Sequence, residues 1–268
     1  MRMVDQLRSF HRRRIALPVS DDALVLDVGS GDKPSWRADV LLDRYPGAEQ
    51  RGQRSGADEA RVTRPLFDAD AEDMPFADGA FDYVICSHLL EHVPDPARVI
   101  AELQRVARAG YIEVPEAASA KIVDFPSHLW WIRLDTSGPA PVLDFTAKQA
   151  PWFDEEIHRY VRESGVEREL TAVLDGRFDA RVICLPWEGS IAHRVHGQVD
   201  PELLRAALTG ESPHRGGESL LARAITLGLT GRRQRSLRRR SVKYDDIVKP
   251  TLRRGDDRVL ERRVYRFG

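Results

Sequence analysis

The feature that most constrains the fold is a series of short apolar runs that end at glycine, serine or acidic residues. The first run, residues 23–28, ends at Gly-Ser-Gly, and the second, residues 39–43, ends at an aspartate. A short third strand is predicted at residues 64–68. A fourth strand is predicted at residues 81–87, which are rich in β-branched and aromatic side chains. Short apolar runs bounded by turn residues are typical of buried parallel strands.

Helical patterns alternate with these runs. Residues 95–108 place apolar side chains at helical spacing, with Pro96 in the first turn and Gly110 after the end. Residues 110–114 then predict another strand, which Pro115 closes. Strands that alternate with helices predict an α/β fold: a doubly wound, Rossmann-like, mostly parallel sheet with helices on both faces.

The pattern changes after Pro115, where a C-terminal cap or extension begins. A β-hairpin is predicted from two apolar segments, and a helix is predicted at 152–164. Late strands are predicted at 181–185, 190–195 and 258–267, and helices at 201–208 and 219–229. We therefore divide the chain into a basic N-terminal helix (1–20), a main domain (21–195, with the hairpin insertion at about 126–148) and a helical, Arg-rich extension (196–268).

Composition narrows the functional classes. The formal net charge is −1, so the whole molecule shows no bias toward nucleic acid. No run of 18 apolar residues predicts a membrane span, the start lacks the pattern of a secretory signal, and two cysteines in apolar runs fit a cytoplasmic protein. Six arginines lie between Arg232 and Arg240. Three interpretations of this run are open: a solvated surface helix, a site for an anionic partner, and an arm for homo-oligomer formation.

Polar residues follow the predicted strands at their carboxyl ends, where ligands bind in parallel sheets. The glycines of Gly29-Ser30-Gly31 allow a ligand to approach the backbone. Asp43 ends the next strand, where an acid can accept hydrogen bonds from ribose hydroxyls. The third glycine of the dinucleotide fingerprint is absent, which argues against a nicotinamide cofactor.

Four segments together resemble the class I S-adenosylmethionine-dependent methyltransferases, in particular the broad group with a "DAEDLPF…LEHV" signature. The matching segments are VLDVGSGD (25–32), LLD (41–43), DAEDMPFADGAFDYVICSHLLEHV (70–93) and GYIEVP (110–115). The resemblance covers somewhat over a third of the chain and implies that S-adenosylmethionine is the cofactor.

The resemblance also implies roles for single residues. Asp27, Gly29 and Gly31 would shape the pocket for the methionine part, Asp43 would hold the ribose, and Asp70 with Ala71 would meet the adenine. Ser87 and His88 would lie beside the sulfonium methyl, while Ser30 and Arg44 complete the predicted cofactor-binding set. One departure is that only 11 residues separate Gly31 from Asp43, and Lys33-Pro34 blocks a regular helix start. The first crossover helix is therefore expected to be short or irregular.

Methyl transfer to a hydroxyl requires a base near neutral pKa, for which histidine is the usual choice. His88 is the first candidate because it follows the strand that would face the sulfonium. His92, His128 and Glu113 are the other predicted catalytic residues. Alternatively, His88, Glu113 and His128 gather a divalent metal ion such as Mg²⁺.

The acceptor is less constrained than the cofactor. Trp130, Trp131, Trp152 and Trp187 offer aromatic surfaces that suit sugars or flat natural products, although tryptophans more often fill a core. We expect O-methylation of a small molecule, with a sugar hydroxyl as the leading acceptor and nucleic acid not expected as a partner. The alternatives are an N- or C-methyltransferase, an RNA methyltransferase that uses the basic tail, and a non-catalytic S-adenosylmethionine-binding scaffold.

Overall fold

The computed structural model describes residues 11, 16–47, 59–209, 220–237, 241–255 and 257–267. The predicted N-terminal helix lies largely outside the described residues, and residues 16–20 form no helix. None of the described helices has the length and hydropathy that a membrane crossing requires.

The main sheet has seven strands in the order β10-β3-β2-β1-β4-β5-β8. Its strands are β1 (Val25–Val28), β2 (Val40–Asp43), β3 (Leu66–Asp68), β4 (Tyr83–Ser87), β5 (Ala109–Pro115), β8 (Val182–Glu188) and β10 (Val264–Arg266). All neighbours pair in parallel except β5 and β8, which are antiparallel. The prediction of a doubly wound, mostly parallel α/β sheet is confirmed.

A second, smaller sheet contains β6 (Trp130–Asp135), β7 (Val142–Ala147) and β9 (His193–His196). β6 and β7 form the predicted antiparallel hairpin, and β9 pairs in parallel with β7. Side chains from this sheet, among them Trp130 and Phe145, join the principal hydrophobic core.

The described helices are α1 (Pro96–Val106), α2 (Ala117–Ile122), α3 (Glu155–Glu163), α4 (Glu167–Asp175), α5 (Phe178–Arg181), α6 (Pro201–Thr209), α7 (Leu220–Leu237) and α8 (Tyr244–Ile247), with a 3₁₀ turn at Pro250–Leu252. α1 begins where the sequence predicts. The Asp95 carboxylate accepts hydrogen bonds from the amides of Ala97 and Arg98, and Pro96 occupies the first turn. Val99, Ile100 and Leu103 then bury the apolar face of α1.

Strand residues alternate between the two faces of the sheet. Leu26 and Val28 belong to the principal core on the face that α1 covers, whereas Val25 packs with Tyr83 and Ile85 in a smaller cluster. The sheet is thus buried on both faces, as a parallel sheet requires.

The segment between β1 and β2 contains no helix. Asp27 Oδ2 accepts a hydrogen bond of 2.7 Å from the amide of Ser35, and this contact ties a compact turn to the end of β1. The sequence predicts a short or irregular first helix, and the structure has a run of turns without helical residues instead. The carboxyl ends of β1 and β2 lie side by side because the two strands pair in parallel.

The basic tail begins as part of the folded core. The Arg233 guanidinium on α7 is only 7% exposed and contacts both carboxylate oxygens of Asp39 at 3.0 Å. Arg37 contacts the same carboxylate at 3.5 Å, and Arg64 donates to the carbonyl of Thr230 on α7 at 3.1 Å. The surface-helix interpretation therefore fails at Arg233, which is buried, while Arg232 beside it is exposed. The side chains from 234 to 240 lie outside the described residues.

The predicted division of the chain at residue 196 stays a prediction. Residues beyond it add β10 to the edge of the main sheet and anchor α7 against the segment before β2. α8 also places Tyr244 and Ile247 in the principal core.

Candidate active site

A cavity of about 260 Å³ opens at the carboxyl ends of β1, β2 and β4. It lies where a doubly wound sheet places its ligands. Eight of the predicted site residues line it: Gly29, Gly31, Asp43, Arg44, Asp70, Ala71, His88 and His92. The structure thus brings together residues that are up to 63 positions apart in the sequence, counted from Gly29 to His92.

The glycine turn after β1 lines the cavity through Gly29 and Gly31. Gly29 and Gly31 adopt φ values of 72° and 50°, which L-residues with a side chain rarely adopt. A Cβ atom on Gly29 would lie 2.9 Å from the Leu89 side chain. Gly29 is therefore required both for the backbone conformation and for the close approach of Leu89.

Asp43 is fixed at the cavity wall by backbone amides. Its Oδ2 accepts from the amide of Gly31 at 2.8 Å, and its Oδ1 accepts from the amide of Tyr45 at 2.9 Å. The side chain is largely buried but borders the cavity. A carboxylate held in this way is oriented before any ligand binds, which suits a hydrogen-bond acceptor for hydroxyl groups.

Asp70 and Arg44 form an ion pair of 2.5 Å across the mouth of the cavity, with both side chains partly exposed. Asp70 Oδ1 also accepts from the amide of Glu72 at 3.0 Å, which makes the turn that carries Ala71 to the cavity. Asp70 and Ala71 thus line the same cavity as Asp43 and the glycine turn.

Three predicted cofactor-binding residues support the cavity without lining it. Asp27 holds the turn through Ser35, and Ser30 is buried beneath it. The Ser87 hydroxyl donates to Glu113 Oε1 at 3.2 Å. These three side chains therefore support residues around the cavity but do not line it.

His88 lies between two carboxylates. Its Nδ1 is 3.0 Å from Glu91 Oε1 and its Nε2 is 3.1 Å from Glu113 Oε1. Burial alone would lower the pKa of His88, but the hydrogen bonds to Glu113 and Glu91 outweigh it and raise the pKa to about 9. His88 also has a positive φ of 54°, and its ring, 40% exposed, lines the cavity.

His92 and His128 pack edge to face, with ring centroids 4.9 Å apart. The Nδ1 of His92 is 2.9 Å from the carbonyl oxygen of Ser127, so it carries the hydrogen and donates. Burial lowers the pKa of both rings, and that of His128 falls well below its usual value. His92 lines the cavity, whereas His128 and Glu113 lie behind it.

The sequence does not indicate the apolar side chains that line the cavity. Leu89, Val93 and Pro94 follow β4, and Leu204 and Leu208 reach the cavity from α6. The apolar spacing of 201–208 predicts the helix, but nothing in it indicates that the helix covers the site.

The tryptophans do not supply the aromatic surface that the sequence offers. Trp130 is buried and donates from its indole nitrogen to the carbonyl of Val93 at 2.8 Å, and Trp187 packs over Gly110 in the core. Neither these two nor Trp131 and Trp152 line the cavity.

Comparison with known proteins identifies the same region. A family model described as a methyltransferase domain matches residues 26–112. An uncharacterized methyltransferase of Mycobacterium sp. (strain KMS) is 38% identical over 94 residues, which cover 34% of this chain and 36% of that protein. The ubiquinone biosynthesis O-methyltransferase of Methylococcus capsulatus is 30% identical over 133 residues, which cover 48% and 52%.

A longer match reaches beyond residues 26–112. The sarcosine/dimethylglycine N-methyltransferase of Halorhodospira halochloris is 28% identical over 195 residues, which cover 63% of this chain and 65% of that protein. The chain matches only about a third of the length of the Mycobacterium relative. The likeness therefore rests on the sheet and on the segments that surround the cavity, and residues 26–112 match the methyltransferase domain family.

Proposed function

We propose that the chain binds S-adenosylmethionine in the cavity and transfers its methyl group to the hydroxyl oxygen of a small molecule in the cytoplasm. One observation carries the proposal: the cavity joins the glycine turn, the oriented Asp43 and two histidines at the carboxyl ends of three neighbouring strands. The family match over the same residues supports it.

In the proposed complex, the turn at Gly29 and Gly31 accommodates the methionine part of the cofactor. Asp43 accepts hydrogen bonds from the ribose hydroxyls, and Asp70 with Ala71 contacts the adenine. All of these residues line the cavity. The histidines at the end of β4 then lie on the side where the sulfonium methyl would face the acceptor.

The reaction is an in-line displacement. The acceptor oxygen forms a bond to the methyl carbon while the carbon–sulfur bond breaks, and the electron pair of that bond stays on sulfur. S-adenosylhomocysteine leaves as a neutral thioether, and the hydroxyl proton must be removed. Because the chemistry depends on distance and alignment, positioning by the cavity supplies much of the rate.

A histidine of the cavity wall is the proposed proton acceptor. Among the four predicted catalytic residues, His88 and His92 border the cavity. Both ring nitrogens of His88 contact carboxylates and its pKa is raised, so the proposal narrows to His92, whose Nδ1 donates to the Ser127 carbonyl and leaves Nε2 as the proton acceptor. Glu113 would then position His88, since its carboxylate contacts His88 Nε2 and receives hydrogen bonds from Ser87 and Tyr111.

The acceptor is proposed to be a sugar or a natural product. The apolar side chains of Leu204 and Leu208 on α6 favour an acceptor with a substantial apolar part. The O-methyltransferase relative in ubiquinone biosynthesis also supports an oxygen acceptor.

The test is transfer of label from methyl-labelled S-adenosylmethionine into fractionated small molecules, with isolation of the product. Label that is stable as an ether on oxygen supports the proposal. Label on nitrogen or carbon would replace it by the corresponding methyltransferase, and label in RNA would exclude a small-molecule acceptor. Binding of the cofactor without transfer to any fraction would support the scaffold alternative.

A further inference from the structure

We propose that Glu91, His92 and His128 form a binding site for a divalent first-row transition metal ion, with zinc as the best match. Each of the three residues offers one donor atom, and these atoms lie within 4.8 Å of one another. Sequence reasoning considered a different set, His88 with Glu113 and His128, and a different ion.

The donor types fit zinc better than magnesium. Two imidazole nitrogens and one carboxylate oxygen form a ligand set known from catalytic zinc sites, in which water or substrate takes the fourth position. Magnesium prefers oxygen ligands and holds several waters. Bonds of about 2.0–2.2 Å to zinc would bring the donor atoms to about 3.4 Å from one another, from separations of up to 4.8 Å.

Two of the three residues carry buried polar atoms without a hydrogen-bond partner. Glu91 is fully buried, and its Oε2 has no partner. His128 is 8% exposed, and its Nδ1 has none either. Such atoms are rare in folded proteins because each unpaired group is costly, so an unseen ligand is the natural explanation for two of them in one cluster.

The surrounding hydrogen bonds match those of a metal centre. Metal-bound histidines almost always donate their second ring nitrogen to a carbonyl or carboxylate. His92 does so, because its Nδ1 donates to the Ser127 carbonyl at 2.9 Å, and its Nε2 lies 4.0 Å from Glu91 Oε1. Glu91 is held in turn by His88, which contacts its Oε1 at 3.0 Å, while its Oε2 has no hydrogen-bond partner.

The ligand set itself favours a cation, because one of its three members is a carboxylate. The nearby Lys148 is paired with Asp124 at 2.9 Å.

A metal at this position would border the cavity through His92. Its role in catalysis rests on the proposed function, although its binding does not. If the ion is bound, His92 would serve as a ligand and could not also accept the proton. The ion would then replace the histidine base proposed above by supplying the positive charge that lowers the pKa of an acceptor hydroxyl.

The test is a Co²⁺ titration of the full chain after chelator treatment, followed by visible absorption and by competition with Zn²⁺. We expect a ligand-field band that saturates at one equivalent and disappears on addition of Zn²⁺. His92→Gln and His128→Gln should each weaken Co²⁺ binding by at least about 100-fold, somewhat more than is usual for outer-shell changes. The control His193→Gln, which alters a histidine bonded to the Ile191 carbonyl, should leave the titration unchanged.

Absence of a Co²⁺ band, or bands that persist in both ligand variants, would overturn the proposal. Thermal unfolding of each variant separates loss of ligands from loss of fold, and two independent histidine variants cover the case in which one fails to fold. Because the readout is spectroscopic, Co²⁺ binding without methyl transfer would contradict the proposed function alone. Methyl transfer without Co²⁺ binding would contradict only the metal site.

Discussion

Asp39 is the residue whose removal should affect stability most clearly. Its carboxylate is 1% exposed and lies between the guanidinium groups of Arg233 and Arg37. It also accepts a hydrogen bond from the amide of Val25 at 3.0 Å. Asp39→Asn would leave two buried cations without their counter-charge. Burial already lowers the pKa of Arg37, and that of nearby Arg64 to about 10, which shows how poorly this region solvates positive charge.

The magnitude follows from the geometry. Removing one partner of a buried ion pair costs about 3–5 kcal/mol, because the remaining charge stays buried and uncompensated. With about 2–4 °C per kcal/mol for a chain of this size, the melting temperature should fall by roughly 6–20 °C. Arg233→Met should cost less, because Asp39 would keep Arg37 as its partner.

Urea and thermal unfolding of the purified chain provide the assay. Arg232→Met is the matched control, since Arg232 is adjacent on α7 and exposed, and it should change the free energy of unfolding by less than about 0.5 kcal/mol. If Asp39→Asn and Arg232→Met unfold at the same temperature, α7 is not anchored through Asp39 and the reasoning is wrong.

Three further predictions concern the cavity and the sheet. Asp43→Ala should weaken S-adenosylmethionine binding by calorimetry about 10- to 100-fold, the loss expected for hydrogen bonds to a carboxylate, while exposed Asp257→Ala should leave binding unchanged. Gly29→Ala should weaken binding as well, because its Cβ would lie 2.9 Å from Leu89 at a φ of 72°; unchanged affinity would show that the turn adjusts freely. Gly110→Ala should destabilise the chain by about 3 kcal/mol or more, because its Cβ would lie 2.4 Å from the Val84 carbonyl oxygen, whereas Gly228→Ala on α7 has open space and should be neutral or slightly stabilising in the same melt.

The sequence predicts the sheet well because its signals are local. Short apolar runs that end at Gly29, Asp43 and Ser87 mark β1, β2 and β4, and Asp95-Pro96 marks the start of α1. The cavity follows from these ends because parallel strands place them at one edge.

The remaining features depend on contacts between distant segments. Nothing local shows that Arg233 would pair with a residue 194 positions earlier, or that Leu204 would cover the cavity. The same holds for the two carboxylates that enclose His88, one of which lies on β5. The sequence therefore identifies histidines that are candidates for the base. The hydrogen bonds that determine their protonation can be seen only in the structure.

The central claim is that the cavity at Gly29, Asp43 and Asp70 binds S-adenosylmethionine. Isothermal titration of the purified chain with S-adenosylmethionine, alongside Asp43→Ala, tests it most directly. The account predicts one site per chain and a loss of at least about tenfold in affinity for the variant. Absence of binding by the unmodified chain, or equal affinity in both proteins, would contradict it.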